Sequence, residues 1–426
     1  MNQIASQNAP SPRVVVPHYA FGALTLLIVT LLILFKPDAF TQHFFNPALL
    51  AITHLLVLGW ITMIIFGALY QLLPVIMEVK LYSEPFAIAS FLMLGIGTIL
   101  LAIGFWQFSF GLLLFAGGSS VVVSVVLFAA NVLLTAHASN KKIIERTFII
   151  ISVIWLLFTV MAGLTMAVNQ VHPFLKTSQI ELIKLHAHAG IVGWFIQLII
   201  GVSSKLLPMF MVSHHVNTRK LTIAYYAINI GLITGIVSLF LQIKFGVRLS
   251  ALLVVPGIFS YLSYIYEAYT KRVKKQLDIG MKQTAISFII LVIPFFLIFS
   301  LLFNLQFLDN LTVPLTVAYG SAIVLGFITS LVMGQTYKTL PFIVWLQVYR
   351  GRIGKVVLPL PKDLYSEKVA VAQLWLFAAG FTLFLIGISV SVHELLLTGG
   401  ALLFLSVALY NINLFKIIFH QPKNKE

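Results

Sequence analysis

Apolar residues fall in long blocks broken by short polar stretches, and neither a period of 2 nor an amphipathic period of 3.6 organises the chain. Twelve blocks reach the ~20 residues that a bilayer-crossing helix needs: 18–36, 46–76, 85–106, 108–136, 147–169, 181–212, 221–243, 249–270, 284–306, 313–346, 370–390 and 394–417. The pattern predicts an all-α polytopic membrane protein of twelve transmembrane helices, a single transmembrane domain over 1–426. The first block follows a polar, Pro-containing tail and precedes eleven others, so it does not read as a cleaved signal peptide. The longest interior break, about 347–369, is too short to fold alone.

The blocks repeat. The second contains His54, Gly59-Trp60, Gly67, Tyr70-Gln71 and Leu73-Pro74; the sixth His188, Gly193-Trp194, Gly201, Ser204-Lys205 and Leu207-Pro208; the tenth Ser321, Gly326-Phe327, Gly334, Tyr337-Lys338 and Leu340-Pro341. In each the glycines are 8 apart and the second lies 7 before the proline, and the copies are offset by 134 and 133 residues. Small residues let helices approach closely in lipid, and a proline suits a helix end. Three copies in one register go beyond either reason, so the chain reads as three pseudo-repeated four-helix units, about 14–139, 147–275 and 282–417.

Composition sharpens this. Of 426 residues 60% are hydrophobic and 9% charged, with a mean hydropathy of +1.03, against about a quarter charged in soluble domains. The net charge of +15, from 27 Lys+Arg against 12 Asp+Glu, suggests nucleic acid in a soluble protein. Here the cations sit in the breaks. Alternating the blocks across a bilayer puts 20 Lys/Arg on the side of the termini, Lys355, Lys423 and Lys425 among them. The other side holds five: Lys36, Lys176, Lys184, Lys244 and Arg248. By the positive-inside rule both termini are cytoplasmic in a cell (plasma or inner) membrane; the partners are lipids rather than nucleic acid. The absence of cysteine excludes disulfides, iron–sulfur clusters, thiol catalysis and covalent c-type heme attachment.

Most of the eleven histidines fall at loops or block ends. His54, His186 and His188 lie roughly 10 Å inside the outer end of their blocks at 1.5 Å per residue. A buried imidazole must find a partner. It can hydrogen-bond across helices or to a backbone carbonyl. Two imidazoles at one depth on repeat-related helices are also what bis-histidine ligation of a non-covalent heme b requires, which makes His54 and His188 candidate ligands of heme iron. His186, two positions from His188 and so about 200° around the helix, is either the ligand of a second heme or a group facing a polar cavity.

The stretch His186-Ala-His188-Ala-Gly-Ile-Val-Gly-Trp194, running on to Leu-Leu-Pro208, resembles the tenth helix of cbb3-type heme–copper oxidase catalytic subunits and of nitric oxide reductases. His54 through Gly67 to Pro74 resembles the same motif with one histidine. That family's twelve helices in three pseudo-symmetric arcs extend the resemblance along the chain, and it implies heme ligation by the H-x-H histidines, oxidoreductase-type chemistry, and electron-donor or oxidase-type partner subunits. A looser resemblance is to a twelve-helix membrane heme family linked to the nitric oxide response. The departures are specific. The H-x-H stands in the second repeat instead of the third, where Tyr319-Gly320-Ser321 replaces it, and the last interhelical loop lacks the usual arginine pair. His214-His215 fall 26 residues beyond His188, about 39 Å along a helix, too far to complete a copper site.

Lys205, Lys338 and Gln71 form one repeat column. Snorkelling to headgroups is the ordinary role of such lysines; with Tyr70, Ser204 and Tyr337 beside them they are also candidates for a proton or ion path. The expected function is therefore that of a heme-binding membrane protein acting in electron transfer or diatomic-gas (NO/O2) chemistry, without the copper site of full oxygen reduction. The alternative is a multi-pass transporter for a metal, heme or small solute, whose sites internal repeats would frame.

Overall fold

In a computed structural model, residues 8–243, 245–302, 312–352 and 358–422 are described. Lys244, Lys355, Lys423 and Lys425, which enter the charge count, and the end of the ninth block lie outside them. The protein is 83% helical and, among the described residues, has no strands. Among the described residues, twelve helices are long and apolar enough to span a membrane: α1 Pro12–Phe35, α2 Pro47–Met77, α3 Glu84–Trp106, α4 Leu112–His137, α5 Ile144–Val171, α6 Gln179–Met211, α7 Arg219–Phe240, α8 Gly246–Thr270, α9 Ile279–Leu302, α10 Thr312–Tyr349, α11 Glu367–Val390 and α12 His393–Ile418. It is an all-α polytopic membrane protein, as the block pattern predicts.

Local chemistry sets the helix starts. Asn46 caps α2 by accepting from the Leu49 N–H at 2.9 Å, Ser178 caps α6 through the Glu181 N–H, and Asp278 caps α9 through the Met281 N–H. α1 begins at Pro12, ahead of the expected 18, because proline is pre-organised for a first turn and its missing N–H is one that would go unpaired there.

The repeat prolines do not end their helices. Pro74, Pro208 and Pro341 lie inside α2, α6 and α10, which continue to Met77, Met211 and Tyr349. A proline cannot donate to the carbonyl four residues back. For Pro208 that carbonyl belongs to Ser204, and the Tyr264 hydroxyl of α8 donates to it at 2.9 Å.

The contacts group into two compact units. One is built on Tyr70–Met93 and Phe110–Leu277, the other on Pro10–Leu69, Leu94–Ser109 and Asp278–Glu426. In the first unit α4 packs on α5, α5 on α6, and α7 on α8; in the second α9 packs on α10, α11 on α12, and α12 on α1. The repeat glycines sit where these pairs close. A β-carbon at Gly67 would lie 2.6 Å from His18 Cβ, one at Gly201 would lie 2.8 Å from Phe148 Cβ, and one at Gly334 would lie 2.8 Å from the Gly280 carbonyl. Each second-column glycine thus receives the first helix of its own repeat.

The deepest regularity is in the backbone. α2, α6 and α10 each change from α- to π-helix and back, over Leu55–Thr62, Ala189–Ile196 and Ala322–Ile328. The three segments begin immediately after His54, His188 and Ser321, the three members of one repeat column. π segments are rare and are enriched at functional sites. Within the second unit the segments of α2 and α10 pack on each other.

Candidate functional site

His54 ends the α-helical part of α2 in the second unit. Its Nδ1 lies 2.8 Å from the Leu50 carbonyl, and its ring stacks on Phe105 of α3 at 4.4 Å between centroids. His188 ends the α-helical part of α6 in the first unit, with Nδ1 2.8 Å from the Lys184 carbonyl. The partner is in both cases the carbonyl four residues back. A carbonyl only accepts, so Nδ1 carries the proton and Nε2 the lone pair. This is the tautomer that metal-bound histidines adopt when a backbone carbonyl orients them.

His186 faces α5. Its Nδ1 lies 3.0 Å from the Thr159 carbonyl, and its ring covers Gly163, where a β-carbon would stand 3.0 Å from its Cε1. It does not share the intrahelical anchor of His188, as the 200° separation predicts. In the third repeat Ser321 is buried, and a β-carbon at the neighbouring Gly320 would meet nothing within 4 Å.

The surroundings of the α2 segment are tightly packed but carry unsatisfied polar atoms. Gly59 receives Thr25 of α1 and Thr98 of α3. Trp60 and Thr98 are fully buried, and among the described residues the Trp60 Nε1 and Thr98 Oγ1 have no hydrogen-bond partner. Such atoms are costly in an apolar interior unless something else satisfies them. His54 in one unit and His188 in the other are each of the residue type that can hold heme iron, and the chain has no cysteine for covalent attachment; the glycines near them are filled by neighbouring side chains, Gly59 by Thr25 and Gly193 by Trp155. Among the described residues, no three His, Cys, Asp or Glu side chains gather closely enough to hold a metal ion. His214 and His215 lie beyond the far end of α6 from His188; the His215 carbonyl accepts from Lys271 Nζ at 2.8 Å.

The polar column is heterogeneous. Lys338 pairs with Asp278, Nζ to Oδ2 at 2.7 Å, and the two side chains are 18% and 29% exposed. Lys205 is exposed. The buried Tyr70 hydroxyl is 2.7 Å from Ser90 Oγ, and Tyr337 is buried against the rings of Tyr365 and Tyr410. The partner of Lys338 is a carboxylate that the sequence places in the loop before the ninth block.

One residue escaped the sequence reading. His18, assigned to a block end, is fully buried against Gly67, because α1 starts at Pro12 and carries it inside the helix. The Ser11-Pro12 pair, a cap followed by an N1 proline, is the signal that could have found it. No known protein-family model matches the chain, and no curated protein matches it either.

Proposed function

We propose that the protein is a heme-binding integral membrane protein in which His54 and His188 supply axial imidazole nitrogens to non-covalently bound heme b. One observation carries this reading. Both histidines of the repeat column end an α-helical stretch at a π segment, and both tie Nδ1 to the preceding turn's carbonyl at 2.8 Å. A histidine whose Nδ1–H is tied to a backbone carbonyl is oriented as metal-binding histidines commonly are, with Nε2 directed away from that bond. His186, oriented instead by α5, is the candidate for a second heme. When bound, a heme held by both imidazoles would supply one-electron redox chemistry, and one held by His186 alone would keep a coordination position for a diatomic gas; the chain supplies oriented imidazoles and a close-packed surround.

This chemistry belongs to electron transfer or to NO/O2 binding rather than to four-electron oxygen reduction, with a cell inner membrane as the setting, both termini cytoplasmic, and an electron-donor or oxidase-type subunit as the partner. A reduced-minus-oxidised spectrum of protein purified in detergent after expression with ample heme tests the reading. Sharp b-type bands at stoichiometric heme are expected; their absence would overturn it in favour of a transporter.

A further inference from the structure

Three polar side chains of the second unit are buried without protein partners. Gln283 of α9, Ser330 of α10 and Gln373 of α11 are fully buried. Neither amide atom of Gln283, nor Ser330 Oγ, nor Gln373 Oε1 has a hydrogen-bond partner among the described residues. Four other buried hydroxyls of α9 and α10 behave differently: Thr284, Ser287, Thr329 and Thr336 each donate to a carbonyl of their own helix. The three positions share one level of the unit. Gln373 Nε2 lies 4.0 Å from Met333 Sδ. The next residue of α10, Gly334, receives α9: a β-carbon there would stand 2.8 Å from the Gly280 carbonyl and 3.1 Å from the Thr284 nitrogen, and Gln283 precedes Thr284. Ser330 lies about one turn before Met333 on the same face of α10.

The hydrogen bonds that do form fix which atoms are left over. Ser406 of α12 donates its hydroxyl hydrogen to the Gln373 carbonyl at 2.8 Å, so its oxygen can only accept from the Gln373 amide, whose Nε2 is 3.3 Å away. Oε1 of Gln373 remains as an acceptor. Ser330 offers both a donor and an acceptor, and so does Gln283 whichever way its amide is turned. Bare groups of this kind are costly in an apolar interior, and bound water with several polar neighbours is how folded proteins satisfy them. A cation would meet the oxygens and leave the Gln283 N–H groups bare, and Asp278, the carboxylate five residues before Gln283, is already held by Lys338. The set calls for a neutral occupant that both donates and accepts, and the close approach of α9 to α10 at Gly334 keeps it small.

We propose that Gln283, Ser330 and Gln373 form a binding site for ordered water within the membrane-spanning part of α9, α10 and α11. Ser330 stands two residues beyond the π segment of α10. The helix whose column residue is Ser321 therefore carries its polar site after the segment, whereas His54 and His188 stand before theirs. The site is independent of the heme reading.

X-ray radiolysis tests the site, because a hydroxyl radical formed from a bound water oxidises the side chain beside it even where bulk solvent does not reach. Met333 is fully buried, lies against the Gln373 amide, and carries a thioether that such radicals attack readily. In dose-matched exposures of the full-length protein in detergent, peptide mass spectrometry should find oxygenated Met333. The marking should fall several-fold in Gln283→Leu and in Ser330→Ala, the milder change, which serves alone if the first variant does not fold. Unmarked Met333 in the unsubstituted protein, or marking undiminished in the variants, would overturn the proposal. Thermal unfolding gives a second readout. With water bound, Gln283→Leu should lower the midpoint, because Gln373 Oε1 and Ser330 Oγ lose the water that Gln283 helps to hold. A raised midpoint would also overturn the site, since replacing an unpaired amide by an apolar chain of similar size relieves a dry interior.

Discussion

Lys338 Nζ lies 2.7 Å from Asp278 Oδ2, and the same carboxylate caps α9 through its other oxygen, which accepts from the Met281 N–H at 3.1 Å. One side chain therefore starts a helix and neutralises a lysine on its neighbour. Asp278→Ala removes both functions. With the pair's partial exposure lowering the ionic share, the expected loss is about 2 kcal/mol, about half from the cap. Asp278→Asn keeps the cap and should lose about 1 kcal/mol. Thermal unfolding in detergent, comparing the two variants, separates the contributions.

The tautomer fixed at His54 and His188 leads to a spectroscopic expectation. His54→Ala or His188→Ala should abolish a low-spin heme signal, because a missing axial ligand converts low-spin iron to high-spin. His215→Ala, at the far end of α6, should leave the spectrum intact. Unaltered spectra in both first variants would remove these residues as ligands.

Close packing at Gly67 gives a stability expectation independent of any cofactor. A methyl there meets His18 Cβ at 2.6 Å, so Gly67→Ala should cost about 1–3 kcal/mol through overpacking. Gly320→Ala, inside α10 where a β-carbon meets nothing within 4 Å, should be neutral or slightly stabilising. Midpoints of thermal unfolding for the two proteins check the contrast.

Copper chemistry is expected to be absent. A copper site needs several nitrogen donors, and among the described residues no such group gathers. Metal analysis should find no stoichiometric copper, and an oxygen electrode no cyanide-sensitive uptake by the protein alone. Either signal would mean that histidines such as His43 or His172 fold inward to build a site.

The sequence was most legible where bulk properties decide. Runs of apolar residues locate twelve helices because lipid forces every backbone group to bond within its own segment. The register of Gly59, Gly193 and Gly326 identified the column in which His54, His188 and Ser321 stand. The π segments themselves were not legible, since widening a turn depends on what packs around it and leaves no periodicity in residue type. His18 was misplaced by a boundary error of about one and a half turns. Lys205 and Lys338 look alike in sequence and differ in the fold, because only Lys338 meets a carboxylate carried by another helix.

The π segments have a geometric consequence. An α-helix turns by about 100° per residue, so slack inserted at one point rephases everything on one side of it relative to the other. In α2, α6 and α10 this uncouples the stretch bearing the column residue from the stretch bearing the glycine and proline. The stretch before the π segment then differs among imidazole, paired imidazoles and hydroxyl in the three helices, while the stretch after it keeps one packing solution. Different chemistry at the column position is thus compatible with one set of glycine contacts in all three helices.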